Sequence, residues 1–68
     1  MEIFCTRLKE LRQSAGLTQQ QMADKLNIRQ QSYARYEYGN SEPSLEMLVQ
    51  IAGIFKVSTE YLLGVTDY

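Results

Sequence analysis

Gln30, Gln31 and Arg35 recur at spacings that place them on one face of a single helix, together with Ala34 and Tyr38. A glutamine amide offers one donor and one acceptor, which match the adenine edge in the major groove of DNA. An arginine fork offers two donors that match guanine, and a small residue such as Ala34 meets a thymine methyl. On an arbitrary helix, Gln and Arg are good helix formers on a solvated face. Their setting therefore has to decide between the two readings. Catalytic chemistry has little to draw on: the chain contains no His, its one cysteine, Cys5, has no imidazole beside it, and neither paired carboxylates nor a glycine-rich phosphate loop occurs. The expectation is that the protein is not an enzyme and takes no cofactor and no metal.

The face carrying these residues belongs to a helix expected from Arg29 to Tyr38, whose opposite side, Ser32, Tyr33, Tyr36 and Glu37, is expected in the core. A shorter helix precedes it. Thr18 followed by Gln21 is a capping box, in which the hydroxyl accepts from an early amide and the glutamine reaches back. Met22, Ala23 and Leu26 then form an apolar face, with Ala23 small where two helices cross closely. Asn27, between Leu26 and Ile28, tolerates the left-handed conformation that ends one helix and redirects the chain.

The remaining segments read as braces. Phe4, Leu8 and Leu11, continued by Ala15 and ended by Gly16, form one amphipathic helix; Arg7 and Lys9 on its polar side read as a solvated face. Pro43 and Ser44 open a fourth helix with Leu45, Leu48, Ala52 and Phe55 at core spacing, widened by Val49 and Ile51, while Met47 and Ile54 fall off the stripe toward solvent or a partner. Ser58 begins a last helix, Thr59 to Leu63, with Glu60 suited to its dipole and Gly64 ending it.

At 68 residues the chain has room for one domain and no separate effector module, so residues 1–68 are expected to form a single unit with a motif near 18–38 and no small-molecule substrate. The formal charge of -1 gives little general attraction to a polyanion, but it is unevenly spread. Through residue 40, six bases face four acids; beyond it, Lys56 stands against Glu42, Glu46, Glu60 and Asp67. The basic half is the half that carries the motif. No apolar run approaches the roughly 20 residues that span a bilayer, and no signal-peptide core is present. No membrane association is expected, and the expected location is the cytoplasm. Cys5 reads as a small, partly buried thiol in a reducing compartment.

Three blocks, RLKELRQSAGLTQQQMADKL, RQQSYARYEYG and PSLEMLVQIAGIFKVSTEYLLG, resemble the phage repressor and Cro-like helix-turn-helix proteins, the Xre family, in order and spacing over nearly the whole chain. The resemblance implies an all-α, compact five-helix fold of the lambda-repressor type, which dimerises on operator DNA with the helix 29–38 in the major groove. It assigns base contacts to Gln30, Gln31, Arg35 and Ala34, and backbone contacts to Gln19, Arg29, Tyr38 and Asn40. It pairs Arg12 with Glu37 as a structural ion pair. Dimer contacts in this family come from the C-terminal region, which points to Tyr61, Leu62, Val65 and Tyr68. The chain departs from the common pattern at Asn27, at Tyr38, in a loop 40–42 without basic residues, and at Tyr33, whose ring is expected at the margin of the core with its oxygen outward. The function implied is a sequence-specific transcriptional regulator, a repressor bound to double-stranded DNA as a homodimer. The alternative is a protein-interaction module or antitoxin whose main partner is another protein.

Overall fold

Side chains that replace missing helix hydrogen bonds open three of the five helices, and a residue in the left-handed region closes four. In the computed structural model, which describes residues 2–68, α1 spans Glu2–Ser14, α2 Gln19–Leu26, α3 Gln30–Tyr38, α4 Leu45–Phe55 and α5 Thr59–Leu63. No strand occurs among the described residues; Met1, the first position of the expected 1–68 unit, lies outside them. Thr18 accepts from the Gln21 amide at 3.0 Å while the Gln21 side chain accepts from the Thr18 amide at 2.9 Å, completing the capping box of α2. Ser44 and Ser58 cap α4 and α5 by accepting from Met47 and Tyr61. α2 ends on Asn27 in the left-handed region at φ 61°, and its redirected chain closes a turn through Ile28 N to Ala23 O at 3.0 Å.

The core is one cluster to which every helix contributes. α2 packs on α3, α1 on α3 and α5, and α4 on α5 and α2. Phe4 and Leu8 of α1, Met22, Ala23 and Leu26 of α2, Tyr33 of α3, Leu48, Ile51 and Ala52 of α4 and Leu62 of α5 are buried together. Ala23 is wholly inaccessible within this cluster, where α2 packs against α3 and α4.

Several sequence expectations need correction. Leu45 and Val49 do not join the core: they are 82% and 62% exposed, because contacts with α2 on one side and α5 on the other turn α4 so that Leu48, Ile51 and Ala52 point inward. Met47 and Ile54, expected off the stripe, pack partly buried against the core by the same rotation. α1 stops at Ser14, so Ala15 leaves the stripe and is exposed, and Ser32 is exposed at the edge of the inner face of α3. Tyr33 is not at the margin. It is completely buried, and its hydroxyl donates to Glu37, one helical turn further on, so the oxygen has its partner inside.

Candidate nucleic-acid interface

Glu37 is the only charged residue buried among those described, and the surface stripe of α3 is held in place around it. Arg12 of α1 donates from Nε to Glu37 Oε2 at 2.6 Å and from Nη2 to Oε1 at 3.1 Å, and its Nη1 donates to the Leu17 carbonyl at 2.8 Å. Gln19, the first residue of α2, donates from Nε2 to Oε1 at 3.1 Å, and the Tyr33 hydroxyl donates to Oε2. One carboxylate therefore ties α1, α2 and α3 together with charge-assisted bonds. Burial alone would push the Glu37 carboxyl up, but the bonds from Arg12, Tyr33 and Gln19 outweigh it and hold the group below the usual carboxylate range. The bond to Glu37 raises the Arg12 guanidinium further, against the opposing effect of its own burial. Burial, followed by the neighbouring carboxylate, holds the Tyr33 phenol well above its ordinary value, so it stays a donor. The expected Arg12–Glu37 pair is present, with two further partners that the resemblance did not supply.

On the opposite side of α3, Gln30, Gln31 and Arg35 are exposed and Ala34 is half-buried between them. Tyr38 continues the stripe at 68% exposure. Arg29 is the N-cap of α3 and is exposed, and its side chain makes no capping hydrogen bond. The first turn of α3 therefore presents its amides without a side-chain acceptor from the cap, beside a guanidinium, an arrangement suited to phosphate. Gly39 ends α3 in the left-handed region, and Asn40, exposed just beyond, returns its amide to the Arg35 carbonyl at 2.9 Å. The expected contacts 29, 30, 31, 34, 35 and 38 thus belong to one helix and its N-cap. Gln19 differs in kind: it is half-buried, and its amide nitrogen is engaged by Glu37, which fixes the orientation of the amide from inside.

The C-terminal candidates divide. Leu62 is fully buried within its own protomer, so it is core rather than an intersubunit surface. Tyr61 is half-buried, and the Arg7 guanidinium carbon lies 4.2 Å from its ring centroid. Val65 and Tyr68 are 73% and 89% exposed. Arg7, which the sequence placed on a solvated face, instead donates to the Tyr61 carbonyl, to the Thr66 carbonyl at 2.7 Å and to Asp67 Oδ1 at 3.5 Å. These partners lie 54 to 60 residues along the chain, and no local pattern signals them.

The family model for helix-turn-helix proteins matches residues 8–62, which contain α2, the Asn27 turn and α3 in full. The chain belongs to the Cro- and repressor-like helix-turn-helix family. It is 42% identical over 65 residues to the uncharacterized regulator YobD of Bacillus subtilis, covering 96% of this chain and 58% of that protein. It is 41% identical over 58 residues to the cryptic phage CTXphi transcriptional repressor RstR of Vibrio cholerae, covering 85% and 52%. An uncharacterized helix-turn-helix regulator of Archaeoglobus fulgidus is 35% identical over 62 residues, covering 91% of this chain and 89% of its own length. The chain spans about half the length of most of the curated relatives it matches. The family is one of regulators rather than enzymes. Among the described residues, no helix is long and apolar enough to cross a membrane.

Proposed function

We propose that this chain is a DNA-binding transcriptional regulator, a repressor that occupies operator DNA as a homodimer with α3 in the major groove. The observation that carries this reading is the exposed stripe Gln30, Gln31 and Arg35, held on a helix that is locked from behind by the Glu37 network. In it, Gln30, Gln31, Ala34 and Arg35 read bases, while Gln19, Arg29, Tyr38 and Asn40 position the protein on the phosphates. Because Glu37 already holds one amide hydrogen of Gln19, that side chain meets the duplex in a preset orientation. Residues 1–68 act as one domain. Val65 and Tyr68, with the outer edge of Tyr61, form the dimer surface. The protein works in the cytoplasm, where DNA is accessible. The names of relatives such as the RstR repressor support the regulatory role.

The test is to capture genomic fragments on the purified protein, sequence them, and repeat with Gln30→Ala, Gln31→Ala and Arg35→Ala combined. The expected result is enrichment of a symmetric site with half-sites about one helical turn apart, lost in the folded triple variant. If the wild type enriches nothing above background, the operator reading fails. The net charge of -1 and the loop 40–42 without a base favour a second reading, an antitoxin or interaction module gripping another protein. A specific protein captured by a chain that binds no DNA would establish it.

A further inference from the structure

Gly53 lies inside α4, is exposed, and does not have a left-handed backbone; a Cβ built on it meets nothing within 4 Å. Nothing within the protomer requires a glycine there, although glycine weakens a helix interior relative to alanine. On the same face, one and two turns earlier, stand Val49 and Leu45, 62% and 82% exposed. Two large apolar side chains followed by a gap at i+4 spacing form a knob-and-hole pattern with no complement in the protomer.

We propose that the outer face of α4 pairs with the same face of a second copy of this chain, antiparallel about a two-fold axis through Val49. In an antiparallel pair, positions equidistant from the axis face each other. Leu45 and Gly53 are each four residues from Val49, so each Leu45 enters the space left by the partner copy's glycine. Lys56, the C-cap of α4, and Glu42, in the loop that leads into α4, lie at its opposite ends, and both are exposed. The pairing therefore sets Lys56, the only base beyond residue 40, against the acidic end of the other copy, where Glu46 adds a second carboxylate. In a parallel arrangement, Gly53 would face Gly53 and leave the gap unfilled, and Lys56 would meet Lys56. The face is isologous, as a two-fold contact requires. Two apolar side chains per copy fall well short of the roughly 800 Å² per partner of a stable interface. The contact is consequently weak in dilute solution and forms when copies are concentrated or held close together. It is separate from the tail surface of Val65 and Tyr68 and does not rest on the DNA reading.

Disulfide trapping without DNA tests the register. In a Cys5→Ser background, Val49→Cys, Leu45→Cys, Gly53→Cys and Tyr68→Cys variants are oxidised mildly at high concentration, and covalent dimer is followed by mass. Val49→Cys is expected to cross-link at least tenfold faster than Leu45→Cys or Gly53→Cys alone. Like positions in those two variants sit eight rises apart along the pair, about 12 Å, beyond the reach of a disulfide. A mixture of Leu45→Cys and Gly53→Cys chains is expected to recover the fast rate as a heterodimer. Adding Lys56→Glu to Val49→Cys slows trapping about threefold, in keeping with exposed ion pairs, and adding Glu42→Lys as well restores it. Equal rates at all positions, faster trapping of Leu45→Cys than of Val49→Cys, or no dimer from a folded Val49→Cys protein would overturn the pairing. A failed operator capture leaves these rates untouched, so the two readings fail separately.

Discussion

Removing the carboxylate of Glu37 leaves the Arg12 guanidinium facing a nearly closed interior, and Glu37→Ala is expected to cost roughly 3 to 5 kcal/mol, most of what a domain of this size has. Chemical denaturation of a preparation that still folds measures it; a loss below about 1 kcal/mol would remove the network from its structural role. Tyr33→Phe deletes one donor to a charged acceptor and should cost about 1.5 to 3 kcal/mol, leaving Arg12 and Gln19 on the carboxylate. The pH dependence follows from the same group. The folded Glu37 carboxyl titrates below its unfolded value, so its contribution is complete above about pH 4.3 and is lost as the pH falls through the lower, folded value. Tyr33 is raised, so its contribution is complete below about pH 10 and is lost on the alkaline side, through the folded value. Denaturation midpoints of the wild type and Tyr33→Phe across pH 3 to 11 should differ by a constant amount up to about pH 10 and begin to draw together above it. The ion pair was legible through the family resemblance. The burial of Tyr33 was missed although its signal was local: a hydroxyl one turn before a carboxylate expected inside has its hydrogen-bond partner supplied, and the oxygen has no need of solvent.

Helix limits obey nearest-neighbour chemistry, which is why Thr18, Gln21, Asn27, Ser58 and Gly64 could be placed from sequence. Thr18→Ala should lower stability by about 1 kcal/mol. Asn27→Val, with a branched side chain forced to φ 61°, should lower it by at least 1 to 2 kcal/mol; thermal melts of both variants check these figures, and an unchanged Asn27→Val melt would show that the turn can be made another way. The inner face of α4 was not legible in the same manner. Leu45, Met47, Leu48, Val49, Ile51, Ile54 and Phe55 surround the helix with apolar groups, so periodicity alone does not choose a side, and contacts with α2 and α5 do. Gly53→Ala should stabilise the protomer by about 0.5 to 1 kcal/mol, since the added methyl enters open space and relieves the helix of its glycine. Dilute-solution melting gives that gain directly, apart from any effect on pairing at high concentration.

Across the whole molecule, charge decides how DNA affinity responds to salt. Arg29 is the one base among the proposed phosphate contacts, so a bound homodimer should neutralise about two phosphates and show a shallow slope of log affinity against log salt near -2. A slope near -10 would mean that other bases, such as Lys9 or Lys25, reach the phosphates. Base-reading candidates were legible because they share one helical face; the closure of the molecule was not, because Arg7 and its partners are separated by nearly the entire sequence. Arg7→Ala should cost about 2 kcal/mol, by loss of charge-assisted bonds, and should raise amide exchange from Gly64 onward while α2 and α3 stay protected. The same separation has a temporal meaning during synthesis. A growing chain that already contains α1 to α4 has no carbonyl to offer Arg7 until Tyr61 and Thr66 have cleared the ribosome, and the α5 side of the core lacks Leu62 until then. The final assembly of this domain is thus set to follow the emergence of residues 61–66, and a ribosome stalled before residue 61 should hold a chain that proteases still cut.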